Sequence, residues 1–194
     1  MDQGLGVLLG AGVGALGTAV TATLTAWWAR GQAKLTADAQ REQAQAQARV
    51  DHARWRRETR RDAYAAFLDT VHAVHDRAER ARSAVMNDPG RLIEGASTFM
   101  QEAQALREPL RARWAVVAME GPKPVGTAAK TLLDRTSDWL VHVEVLIAVH
   151  GQGKSQEPFE EACASAYHDV HAALVKFIAT AEAVLDASPV AAPS

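Results

Sequence analysis

The chain carries one cysteine, Cys163, in 194 residues, so no disulfide can form within it. A body held in an oxidising compartment gains little from one unpaired thiol. Aromatic residues make up only 6% and β-branched runs are few. No Asn-Gly pair or sustained two-residue alternation marks a hairpin or a strand. Val141-His142-Val143-Glu144-Val145 does alternate, but it is too short to overrule its helical flanks. Neither sign of charge is in excess: the net of −2 sets up no global field of the kind that marks a nucleic-acid binder. A phosphate loop is missing too. Gly10-Ala11-Gly12-Val13-Gly14 has no Lys-Ser/Thr after it, and Gly151-Gln152-Gly153-Lys154-Ser155 lacks the upstream glycine and follows a helix. What remains is an Ala-rich composition that favours helices, and the fold class is read as all-α.

The absence that organises the chain is charge between Gly4 and Ala29. At about 1.5 Å per residue, a helix of this length reaches roughly 39 Å, against a hydrocarbon core of about 30 Å. Trp27 and Trp28 end the run, followed by Arg30 and Lys34, the order of ring then cation expected at an interface. The pattern predicts an N-terminal transmembrane helix, residues 1–30, with the lipid bilayer as its partner. A cleaved signal peptide would want a basic start and a shorter apolar region, whereas only Asp2 and Gln3 precede this one. Arg30, Lys34, Arg41 and Arg49 all follow the run. The positive-inside rule therefore predicts a single-pass protein of the cell membrane with a cytoplasmic body.

Within the run, small residues recur every four positions at Gly6, Gly10, Gly14, Thr18, Ala22 and Ala26. Helices in lipid associate by close backbone approach at such stripes. Gly6, Gly10, Gly14, Thr18 and Ala22 are thus the candidate oligomerisation face, and a homo-oligomer is expected.

Residues 31–49 are rich in Ala and Gln with Leu35 as the only large aliphatic, which predicts a solvated helical stalk able to seat only a weak coiled coil. From Val50 the pattern turns amphipathic. Tyr64, Phe67, Leu68, Val71, Val74, Ala78, Ala81 and Val85 fall at heptad-like spacing up to Asn87-Asp88-Pro89-Gly90, where Asp88 can cap the next helix. That helix buries Leu92, Ala96, Phe99, Ala103 and Leu106, then kinks or restarts at Glu108 because Pro109 crowds the preceding turn. Its continuation through Leu110, Trp114 and Val117 stops before Gly121-Pro122. A third helix, about 125–150, presents Ala129, Leu132, Thr136, Leu140, Val143 and Ile147 on one face and Val141 and Val145 on the other. The last, about 157–186, presents Phe159, Cys163, Ala166, Val170, Leu174, Phe177, Ala181 and Val184. Short connections make an antiparallel four-helix-bundle-like body over 50–187 the economical arrangement, with a disordered tail at 188–194.

The stretch Trp55-Arg56-Arg57-Glu58-Thr59-Arg60-Arg61-Asp62-Ala63-Tyr64-Ala65-Ala66-Phe67-Leu68, with Val116-Val117-Ala118-Met119-Glu120-Gly121-Pro122, resembles a group of uncharacterised actinobacterial small helical proteins. The resemblance covers roughly residues 55–129 and implies an N-terminal membrane segment ahead of an Arg-rich helix. It brings no activity or functional residue with it.

Candidate chemistry lies in seven histidines and one arginine cluster. His72/His75 and His168/His171 are HxxH pairs, but on helical wheels only His75 faces the core, which argues for a structural histidine and against a metal site. Cys163 sits on an apolar face with no histidine placed to activate it, so packing is its expected role. Arg54, Arg56, Arg57, Arg60 and Arg61 form a basic patch, with Asp51 and Glu58 opposing it. Intrahelical pairing would leave a solvated face, and anionic lipid or an acidic partner are the other uses. The expectation is a non-enzymatic interaction or scaffold protein, with no cofactor and no catalytic or metal residues. Two rival functions are a metal-dependent or redox bundle enzyme, and a binder of nucleic acid or an acidic partner through Arg49–Arg61.

Overall fold

The computed structural model describes residues 3–87, 93–152, 155 and 157–187, with side-chain detail at 28, 32, 34–86 and from 95 onward. The cap expected at Asp88, the Gly153-Lys154 pair and the 188–194 tail lie outside the described residues, as do the side chains of the uncharged run apart from Trp28. Among the described residues the chain is all-α, with five helices and no strand: α1 (Gln3–Asn87), α2 (Ile93–Ala105), α3 (Arg107–Glu120), α4 (Lys123–Gly151) and α5 (Glu157–Asp186). No helix among these residues is long and apolar enough to cross a membrane.

The length of α1 has a simple origin. No proline occurs before Pro89, and no glycine between Gly31 and Gly90, so nothing removes an N–H or relaxes the backbone over residues 32–87. The helices group into two compact units, Met1–Ala53 and Arg54–Ser194. In the first, residues 34–52 are exposed throughout, Leu35 at 73%. Local contacts support this stretch: Gln47 donates to Asp51, the Thr36 hydroxyl donates to the Gln32 carbonyl, and Arg41 faces Asp38 at 3.7 Å.

In the second unit the three-four spacing of α1 is buried as its pattern predicts. Tyr64, Phe67, Val71, Val74, Ala78, Ala81 and Val85 are inaccessible, and Leu68 packs partly exposed against them. Phe177 of α5 meets the Phe67 ring edge-on at 5.3 Å and the Tyr64 ring at 6.0 Å. Such edge-to-face pairs add about 0.5–1.5 kcal/mol beyond the area they bury. From α4 come Leu132, Thr136, Trp139, Leu140, Val143 and Leu146, all fully buried. Trp139 and Leu146 add to the core beyond the predicted face of Ala129, Leu132, Thr136, Leu140, Val143 and Ile147.

The chain restarts as α3 at Arg107, one residue before the expected Glu108. The Pro109 ring would clash with the Ala105 carbonyl, four residues back. The chain instead closes a short turn, Leu106 N–H to the Ala103 carbonyl, and restarts at Arg107. Pro109 then occupies the first turn of α3, where its missing N–H would have had no partner in the helix. At the other end of α3, Gly121 donates its N–H to the Val117 carbonyl, and Pro122 opens α4 with an extended backbone. A side chain at 121 would sit 2.8 Å from the Val117 oxygen and 2.9 Å from Tyr64 Oη. Close approach, not unusual backbone geometry, is what requires glycine there.

Candidate functional site

The most chemically dense region is the seam where α1 meets α5 over α4. His75 projects from α1 half-buried, as its wheel position predicts, and stacks on the Trp139 indole of α4 at 4.7 Å and 29°. Tyr167 of α5 closes the other side at 5.0 Å and meets Trp139 edge-on at 5.8 Å. Burial holds the His75 pKa below its ordinary value, with Glu79 opposing that shift and His72 and His171 adding to it. His72, His168 and His171 are exposed, as expected from their positions on the wheel. Among the described residues, no group of His, Cys, Asp and Glu side chains is arranged to hold a metal ion.

Cys163 lies one helical turn from Tyr167 and is buried. Burial pushes its thiol up, partly countered by Arg82, so the reactive thiolate is disfavoured. The Trp139 indole N–H is buried and has no hydrogen-bond partner among the described residues. Arg82 is committed elsewhere: Nε and a terminal nitrogen grip both Glu79 oxygens at 2.9 and 2.7 Å. Two surface grooves flank the seam and share Glu79 and Tyr167. One, of about 290 Å³, is lined by Cys163, Arg82 and His168; the other, of about 410 Å³, by His72, His75, Asp76 and Arg80.

The arginine cluster is divided between several tasks. Arg54 pairs with Glu58 at 3.0 Å within α1. Arg60 reaches across the fold and donates from Nε to the Glu120 carbonyl at 2.8 Å. There it satisfies an open carbonyl at the C-terminus of α3, the end of a helix that favours a cation. The same guanidinium lies near Tyr64, whose phenol is nonetheless pushed up by burial and finds no hydrogen-bond partner among the described residues. Arg57 is half-buried, while Arg56 and Arg61 are exposed. The structure brings Gly6, Gly10, Gly14, Thr18 and Ala22 within one helix, but their side chains lie outside those described.

On α4 the expected second strip is open, with Val141 at 48% exposed and Val145 at 38%. A groove of about 400 Å³ beside it runs along α4 and α5, where Arg135 bridges Asp138 and Asp169 at 3.8 and 3.5 Å. Trp139 and Tyr167 are the seam residues that the sequence reading missed. Both signals were present: Trp139 follows Leu132 by seven residues, and Tyr167 follows Cys163 by four. No family model, curated protein or solved structure matches the chain.

Proposed function

We propose that the chain is a single-pass, membrane-anchored interaction protein that self-associates, with its helical body on the cytoplasmic side. The observation that carries this reading is the charge-free run Gly4–Ala29, closed by Trp27-Trp28 and then Arg30 and Lys34. The body is read as an antiparallel four-helix arrangement in which α2 and α3 together fill one position, the break at Leu106 dividing them. Support for an interaction role comes from α4: one side fills the core, while Val141 and Val145 stand exposed on the other. The stripe at Gly6, Gly10 and Gly14 supports association through the anchor.

Carbonate extraction of membranes holding the full-length chain tests the anchor, and release into the soluble fraction would overturn it. Protease added to intact cells should spare a C-terminal tag. In a membrane association reporter, the Gly10→Ile/Gly14→Ile pair should weaken self-association while still inserting. Gly12→Ile and Gly17→Ile, off the stripe, should do much less. Equal behaviour of all four positions would remove the stripe as the association face.

A further inference from the structure

The His72/His75 pair meets His171 of the second HxxH pair across one helix seam. His72 and His75 come from α1, His168 and His171 from α5. The ring of His75 lies between Trp139 and Tyr167, and among the described residues no hydrogen bond reaches its nitrogens. Two carboxylates stand close enough to neutralise a proton on it, and both are already engaged. Glu79 is gripped by Arg82, and Asp76 by Arg77 and Arg80 at 3.2 and 3.1 Å. The element beneath, α4, offers only the neutral indole of Trp139. From α5 come the phenol of Tyr167, the imidazole of His168 against it at 6.1 Å, and the imidazole of His171. Cys163 stays a thiol because burial disfavours its charge.

We propose that this seam is a proton-operated latch, closed while His75 is neutral and loosened around Tyr167 when His75 takes up a proton. A half-buried imidazolium here would face the imidazoles of His72 and His171, with both nearby carboxylates already held by arginines. Its attraction to the Trp139 face opposes the effect without cancelling burial. The sign follows from His75 being held neutral in the fold. The latch is complete above the ordinary histidine value of about 6.5, and it weakens as pH falls from there through the folded pKa.

Hydrogen exchange on the full-length chain in detergent, at pH 7.5 and 5.0 and corrected for intrinsic rates, tests the proposal. Protection of α5 amides at 163–174 should fall several-fold from pH 7.5 to pH 5.0 in the wild type. His75→Phe keeps a neutral ring on Trp139 and should hold its protection at pH 5.0. His72→Gln/His171→Gln removes the added charges and should lose less protection than the wild type. No loss in the wild type, or an equal loss in His75→Phe, would overturn the latch. Should His75→Phe fail to fold, an undiminished loss in the double variant would overturn it equally.

Discussion

Residues 34–52 and residues 63–85 belong to the same helix, yet they are held helical by different forces. The first stretch is exposed along its whole length and relies on Ala and Gln propensity with a few i,i+3 and i,i+4 contacts. Each such contact contributes only about 0.2–0.5 kcal/mol. The second buries a position every three or four residues, and Phe67, Val71 and Val74 are almost completely inaccessible. Full burial of one such side chain contributes about 1.5–3 kcal/mol. Helix by propensity is gradual and local; helix by packing is cooperative. The difference teaches where a substitution will be felt.

The sharpest break of this comparison is a matched pair of carboxylates. Phe177→Asp places an unpaired charge between the rings of Phe67 and Tyr64 and leaves a cavity behind. It should cost the body about 4 kcal/mol or more, or prevent folding. Leu35→Asp, at a site 73% exposed, should change stability by less than about 0.5 kcal/mol. Comparable shifts in the melting of both variants would erase the distinction.

Proline asks the same question of the backbone. Ala44→Pro removes one helical hydrogen bond and clashes with the preceding turn, a local penalty of about 3 kcal/mol. Far-ultraviolet ellipticity should drop while the cooperative melting midpoint of the body stays put. Ala78→Pro, at a fully buried position, should abolish that transition. A midpoint lowered by Ala44→Pro would show that the exposed stretch contributes to the cooperative unit.

A smaller effect is expected at the α3–α4 junction. Gly121→Ala drives a methyl against the Val117 carbonyl and the Tyr64 hydroxyl. Backbone on one side and a buried ring on the other leave little room to yield, so a loss of about 1–3 kcal/mol is expected. Chemical denaturation measures it. Tyr64→Phe in the same background removes one of the two closest contacts and should restore part of the loss.

How far the sequence could be read follows the same division. Core positions on α1, α4 and α5 were legible because each repeats at helical spacing, and burial obeys that spacing. Trp139 was legible in principle, seven residues after Leu132, but charged and polar neighbours obscured it. The restart falls at Arg107, one residue before the expected Glu108, because the clash falls on a carbonyl four residues before Pro109. The task of Arg60 was not legible at all. Its partner is the Glu120 carbonyl, 60 residues away, and a backbone acceptor leaves no mark in a side-chain pattern. The approach of His171 to the His72/His75 pair was hidden for the same reason: each pair was visible on its own helix, and only packing joins them.

The smallest predicted effect concerns a polar atom inside the packed region. Thr136 is completely buried in the middle of α4, and its hydroxyl has no hydrogen-bond partner among the described residues. Neighbouring Ser137 returns its hydroxyl to the Leu133 carbonyl, which Thr136 does not do with its own preceding turn. An unsatisfied buried hydroxyl carries a desolvation penalty of about 1–3 kcal/mol. Valine has nearly the same shape and the same β-branch, so Thr136→Val should leave packing and helix propensity almost unchanged. The variant should be stabilised by about 1 kcal/mol, raising the body's Tm by roughly 3–5 °C. Thr136→Ser keeps the hydroxyl and gives up the methyl, and should move Tm the other way by a similar amount. A lower Tm for the valine variant would show that the hydroxyl is hydrogen-bonded in solution, and that this core has a polar anchor where the packing pattern calls for none.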